Sequence, residues 1–130
     1  MIAVDTNLFI YVLNDHPDLC QPSADILRHT DNLLASELVL AEILSDHSLS
    51  DPQDQQKVLD FIDSLSMNMY PVERAILVLA AQFRRNHKSL QLADAVHLAT
   101  AQYCGAEAFI TNDQSLVKLS SQDLIIESLI

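Results

Sequence analysis

The sequence predicts an α/β fold, a three-layer α/β/α sandwich around a small, mainly parallel sheet. Two observations predict it. Short apolar, partly β-branched runs alternate along the chain with stretches whose apolar residues recur at helical spacing. The segments between the runs are long enough to carry the chain back to the same end of a sheet, as parallel pairing requires. A third observation concerns chemistry: the first run ends at Asp5, and the run at 108–111 is followed by Asn112 and Asp113. Ligands of open α/β sheets bind outside the carboxyl ends of the strands, which is where these acids would stand.

The elements follow in order. Ile2, Ala3 and Val4 read as a buried strand ending at Asp5. Thr6 and Asn7 suit a turn or helix start, and residues 8–13 form a short helix that breaks in the polar stretch 14–18. Pro22 opens the next helix, residues 23–29, in a first turn where its missing N–H does no harm. Residues 32–36 (NLLAS) read as the second strand. From Glu37 the pattern is helical, with Leu38, Leu40, Ala41, Ile43 and Leu44 apolar and Ser36 as N-cap. Asp51 and Pro52 begin a helix whose buried stripe is Val58, Leu59, Ile62 and Leu65. Residues 67–70 make a third strand, ended by Pro71. The longest helix spans 73–87, with Ile76, Leu77, Ala80 and Phe83 at core spacing. An alanine-rich helix at 92–104 stops at Gly105. A strand at 108–111, a short helical segment at 116–119 and a last edge strand at 124–126 complete the chain.

Composition narrows the class. A chain of 130 residues suits a single domain with a real core. Its longest unbroken apolar run, residues 75–81, is far below the roughly 20 residues that a bilayer demands, and no basic segment leads into a long apolar one. Cys20 and Cys104 lie far apart without CxxC spacing, which reads as reduced thiols. A cytoplasmic protein with no membrane role is expected. The net charge of −11 is spread along the chain, so the whole-molecule field does not steer nucleic acid inward. Any such role rests on local chemistry.

That chemistry centres on four acids: Asp5 and Asp113 at strand ends, Asp94 in the first turn of a helix, and Glu42 inside an otherwise apolar helix. Each has an ordinary reading as well. Asp5 can cap its own helix, Asp94 suits the positive end of the helix dipole, and Glu42 can lay its stem on apolar surface with its head in water. If the four share one edge of the sheet, their mutual repulsion calls for a cation. Oxygen donors, with Thr6, Asn7, Thr111 and Asn112 nearby, select Mg²⁺ or Mn²⁺. Dispersed histidines and the lack of HExxH disfavour zinc. Such an ion favours hydrolysis of phosphodiesters by activated water. Three further groups stand beside this set. His97, three residues after Asp94, is either a packed, hydrogen-bonded histidine or a contact to a phosphate or the ion's water. Asp46 is a solvated helix end or an acid behind Glu42. Arg84, Arg85 and Lys88 suit the negative end of a helix dipole, or a phosphate.

The stretches MIAVDTNLFIYVL, SELVLAEIL, LADAVHLATA and FITND carry a resemblance: in order and spacing they look like a PIN domain, across almost the whole chain. The length and simplicity are similar to those of VapC-type toxins of bacterial toxin and antitoxin pairs. The resemblance implies a PIN-like domain over residues 1–130 and a metal-dependent endoribonuclease. Asp5, Glu42, Asp94 and Asp113 match the acids that hold Mg²⁺ or Mn²⁺, and Thr111 matches the family's small hydroxyl residue. It also implies an RNA substrate cut to a 5′ phosphate and a 3′ hydroxyl, an antitoxin partner and a homodimer. The segment DQSLVKL departs from the pattern, since many members carry an aromatic residue shortly after the last acid. A PIN fold without catalysis, acting as an interaction module, is the alternative that the negative charge suggests. A phosphotransfer domain with Asp5 as nucleophile fits less well, because no second acid adjoins Asp5 and Lys118 is the only lysine near the late strand.

Overall fold

The computed structural model describes all residues from Met1 to Ile130. Five strands and seven α-helices follow one another as β1 (Ile2–Val4), α1 (Thr6–Leu13), α2 (Cys20–His29), β2 (Leu33–Ser36), α3 (Leu38–Leu44), α4 (Pro52–Asp63), β3 (Met67–Tyr70), α5 (Arg74–Asn86), α6 (Leu92–Tyr103), β4 (Ala108–Thr111), α7 (Gln114–Val117) and β5 (Ile126–Ser128). A single 3-10 turn at His47–Leu49 joins α3 to α4. Every strand pairing is parallel, in the order β3-β2-β1-β4-β5.

Successive strand residues point to opposite faces, and that alternation builds the three layers. Ala3, Leu34 and Phe109 face one way and pack with Ile76, Ala80, Leu98, Ala99 and Leu116 of α5, α6 and α7. Val4, Leu33 and Ala35 face the other way and pack with Leu8, Phe9, Leu27, Val39, Val58 and Ile62 of α1 to α4. The expected sandwich is therefore present, and its sheet is parallel throughout. Helix α6 is buried along nearly its whole length, from Ala95 to Ala101, and its alanines let it lie close to the sheet.

The order of the strands positions the site. From β1 the chain steps outward to β2 and β3, then crosses back to the far side of β1 for β4 and β5. The winding reverses between β1 and β4, so the connections leave their carboxyl ends in opposite directions and open a crevice there. The two strands run in register, Val4 beside Ile110, and the Asp5 N–H donates to the Ile110 carbonyl at 3.0 Å. Asp5 and Thr111 thereby come side by side at that crevice.

Local chemistry explains the helix starts. Asp51 Oδ1 accepts from the Gln53 N–H at 2.8 Å with Pro52 at the first helical position, and Ser36 Oγ accepts from the Leu38 N–H at 3.1 Å. Gly105 takes the left-handed conformation expected after α6, at φ +71°. Most boundaries fall within a residue of the sequence reading, and four elements are displaced further. Helix α1 begins at Thr6 because Asp5 itself caps it, and α2 begins at Cys20, which leaves Pro22 still inside the first turn. The segment after Asp113 is helical at Gln114–Val117 rather than at 116–119, because the Asp113 side chain starts it. The last strand is Ile126–Ser128 rather than 124–126: Leu124 is buried, but pairing with β4 begins only at Ile126. Leu77, expected in the core, lies on the outer side of α5 and is half exposed.

Phe109 is the large buried side chain that β4 contributes to the α6 face. Phe109→Ala should lower the unfolding free energy by about 3–5 kcal/mol in urea titrations, the usual range for emptying such a site. A loss below about 1 kcal/mol would contradict this placement of β4.

Candidate active site

Asp5 leaves β1 buried, with only 4% of its surface exposed, so its charge must be met by donors. Oδ1 accepts from the Thr6 N–H at 2.8 Å, and Oδ2 accepts from Thr111 Oγ1 at 2.6 Å. Burial pushes the carboxyl up, and these hydrogen bonds only partly offset it, so Asp5 ends above its ordinary value. The cap read from the sequence is made, and it uses one oxygen only: Oδ1 starts α1 while Oδ2 ties β1 to β4.

Thr111, the last residue of β4, is fully buried and bridges two acids. Its hydroxyl donates to Asp5 and accepts from the Asp113 N–H at 3.0 Å. Asp113 in turn caps α7, with Oδ1 accepting from the Ser115 N–H at 2.9 Å and the Ser115 hydroxyl at 2.6 Å. Asn112 turns the other way, and its Nδ2 donates to the Tyr11 hydroxyl at 3.1 Å, fastening the end of β4 to α1. Asn7 is half buried in the first turn of α1, outside the network that holds the acids.

Glu42 arrives from α3. Its Oε1 accepts from Thr6 Oγ1 at 2.6 Å and also meets His97 Nε2, which lies 3.1 Å from the same hydroxyl. Partial burial pushes the Glu42 carboxyl up, but the bonds from His97 and Thr6 outweigh it and hold the group below its ordinary value. Sequence spacing placed His97 beside Asp94 on one helix face; the folded chain aims the ring across to α3 instead. The packed, hydrogen-bonded reading of His97 holds, and what sequence spacing missed is its partner, since nothing in the linear pattern joins His97 to Glu42 and Thr6.

Asp94 sits in the first turn of α6, half buried. Burial, then the charges of Asp5 and Asp113 and, more weakly, Glu42, push its carboxyl up to about 6. Four acids remote in sequence therefore share one electrostatic environment. Asp94 and Asp113 also line a cavity of about 280 Å³ with His87, Ser89 and Gln91. The loop after the basic cluster reaches this cavity, but Arg84, Arg85 and Lys88 do not line it. Arg84 Nε donates to the Leu90 carbonyl at 3.1 Å and pins that loop, while Arg85 and Lys88 are exposed. Asp46 caps the 3-10 turn through Ser48 and stands apart from Glu42's network.

The donor set suits a hard divalent ion. Carboxylate oxygens supply it, and no three His, Cys, Asp or Glu side chains crowd into a ready cage. Magnesium rarely requires one, since it binds through one or two carboxylates and keeps waters for the rest of its octahedron. The Asp94 carboxyl is raised by burial first and by the neighbouring acids second, and the second of these is a repulsion that a cation would relieve.

A parallel α/β domain with acids gathered at its switch point is the class of protein that these observations define. The chain belongs to the PIN domain family, whose model matches residues 2–121. Ribonuclease VapC23 of Mycobacterium tuberculosis is 32% identical to it over 124 residues, 89% of this chain and 95% of that protein. Among solved structures, a toxin-antitoxin complex from Klebsiella pneumoniae contains a similar chain, with a TM-score of 0.79 at 18% identity, covering 100% of this chain and 98% of that one. VapBC2 from Rickettsia felis, bound to a DNA fragment from their promoter, has a TM-score of 0.74 at 22% identity over 98% of both chains. These two likenesses are likenesses of fold.

The raised carboxyl of Asp94 fixes the sign of a pH effect. The native state holds a proton here that the unfolded chain has already released. This group's contribution to stability is therefore greatest below about 4 and is lost as pH rises through about 6. In metal-free protein, Asp94→Asn should raise the thermal midpoint at pH 8 by about 3 °C, what ~1 kcal/mol is worth at this size after discounting for solvent screening, and change it little at pH 4. Differential scanning calorimetry at the two pH values checks this; a lowered midpoint at pH 8 would remove the like-charge crowding.

Proposed function

We propose that this chain, as one PIN domain over residues 1–130, is a metal-dependent endoribonuclease and the toxin of a toxin-antitoxin pair. One observation carries the reading: Asp94, at the start of α6 beside the switch point, is pushed up to about 6 by burial and then by the charges of Asp5, Asp113 and, more weakly, Glu42. The VapC23 relative bears the name ribonuclease, and the Klebsiella and Rickettsia neighbours come from toxin-antitoxin and VapBC assemblies, which supports it further.

Asp5, Glu42, Asp94 and Asp113 would hold Mg²⁺ or Mn²⁺. When bound, that ion supplies an activated water and neutralises the charge that grows on a phosphodiester under attack. The chain's residues do the rest. Thr111 and Thr6 hold Asp5 and Glu42 in place, and by donating to them they favour the charged forms against the effect of burial. Asp113 is held by α7, and its backbone is tied to Thr111. Arg85 sits exposed in the last turn of α5 and Lys88 in the loop that follows, between the cavity-lining His87 and Ser89, where they meet phosphates flanking the scissile one. With a net charge of −11, those local cations and the ion, rather than the overall field, retain RNA.

The partner in this reading is an antitoxin that places an Arg or Lys among the acids. A second copy of the chain covers apolar surface such as Leu77 and Val78 on α5, both well exposed. No helix is long and apolar enough to cross a membrane, which accords with a cytoplasmic toxin.

The purified chain should cut RNA with Mg²⁺ or Mn²⁺ and stop on adding EDTA. Asp5→Asn and Asp94→Asn should each lower the rate by at least the roughly hundredfold that losing a mere outer partner of a metal can reach, with circular dichroism unchanged. Cleavage undiminished by EDTA would remove the proposal. Expressed from its native locus, the chain should co-purify with a small neighbour-encoded protein and shed it in high salt, as screening weakens the ion pairs between them.

A further inference from the structure

Three atoms close a triangle at the back of the site: Glu42 Oε1, Thr6 Oγ1 and His97 Nε2. The hydrogen-bond accounting is restrictive. The carboxylate oxygen only accepts, so the close contact between Nε2 and Oε1 requires a proton on Nε2. The threonine proton serves the same oxygen, at 2.6 Å. The other ring nitrogen, Nδ1, is buried with no partner, so nothing in the structure draws the proton to it. The ring is almost completely buried on α6, which leaves it no other orientation to occupy. One oxygen of Glu42 is thus held by two fixed donors, and Oε2 makes no hydrogen bond.

We propose that His97 is a positioning residue: by donating from Nε2 to Glu42 Oε1, together with Thr6, it fixes the carboxylate so that Oε2 is presented to a divalent cation. The role requires no change in the protonation of the ring. It differs from that of a general base, because Nε2 is occupied by Glu42 and Nδ1 faces no open space. It also rests on the assignment of Glu42 to the metal-holding set made above. A long side chain such as Glu, free to sample rotamers, would lose entropy on meeting an ion, and prior fixation removes that cost. Outer partners that orient ligands in this way act on metal affinity or on activity, and a residue that only positions Glu42 acts on affinity.

The test compares Mn²⁺ binding by calorimetry in the wild-type chain, His97→Phe, His97→Gln and Asp5→Asn, with thermal unfolding as a check on folding. His97→Phe keeps the bulk and removes the donor; it should weaken Mn²⁺ binding about tenfold. His97→Gln returns an N–H donor and should recover most of that loss. RNA cleavage by His97→Phe should be restored by excess Mn²⁺, which damage to the fold would not allow. Unchanged Mn²⁺ affinity in His97→Phe, alongside a clear loss in Asp5→Asn, overturns the role of His97 and leaves the site intact. No Mn²⁺ binding by the wild-type chain overturns both. Should His97→Phe fail to fold, the wild-type protein still decides: long-range proton-nitrogen NMR should find a proton on Nε2 and a shift of that signal when Mg²⁺ is added. A bare Nε2, or a signal indifferent to saturating Mg²⁺, overturns the proposal.

Discussion

The hydrogen bond from Thr111 to Asp5 is the contact on which the rest of the site depends. It joins the carboxyl ends of β1 and β4, the two strands between which the winding reverses. A carboxylate buried at that depth is tolerable only if its oxygens are met, and the two donors, Thr6 N–H and Thr111 Oγ1, come from the start of one helix and the end of a strand more than a hundred residues away. Closing this bond therefore fixes where α1 begins and where β4 ends. The second lone pair of the same hydroxyl receives the Asp113 N–H, so the position of the last acid follows from that of the first.

Beyond that bond the site is built from like charge. Asp94 enters from α6, whose buried alanines leave the helix little freedom to back away from the sheet, and its half-buried carboxyl cannot retreat fully into water. The outcome is a carboxyl pushed up to about 6 by burial and by Asp5 and Asp113. Crowded carboxylates cost stability when alone and favour any cation that enters, two consequences of one arrangement. The acids scattered over the remaining surface matter less here, because charges more than about 8 Å away are screened at physiological salt.

Much of this was legible in the linear chain, for reasons that differ from residue to residue. Asp5 and Asp113 could be placed because apolar runs mark strand ends and a parallel sheet puts those ends on one side. Glu42 stood out because an acid among Leu, Ala and Ile breaks a helical pattern. What spacing could not convey was the neighbour across an interface. His97 shares a helix face with Asp94, yet its ring meets Glu42, fifty-five positions earlier, because α3 and α6 approach each other at the crevice. Hydrophobicity likewise reports burial and not pairing, so Leu124 is in the core while the strand begins at Ile126. In α5 the apolar residues outnumber the inward positions, and Leu77 and Val78 were left facing out. Arg84 could be assigned to a helix end or to a phosphate but not to its actual acceptor, the backbone carbonyl of Leu90, an atom no side-chain pattern reveals.

The division of labour among the four acids follows from how each is held. Asp5 and Glu42 each take two hydrogen bonds from fixed donors, so their directions are set before any ligand arrives. Asp113 is fixed through one oxygen by α7, and Asp94 is fixed by none, while the two together border the open cavity. Under the proposed metal-dependent reading, a cation entering from that cavity would meet the least constrained carboxyl first and relieve its repulsion, and the rigid pair behind would set how well the ion fits. Rigidity is concentrated where the strands meet and compliance where solvent enters, an order that the Thr111 bond imposes by tying the first acid to the last strand that flanks it.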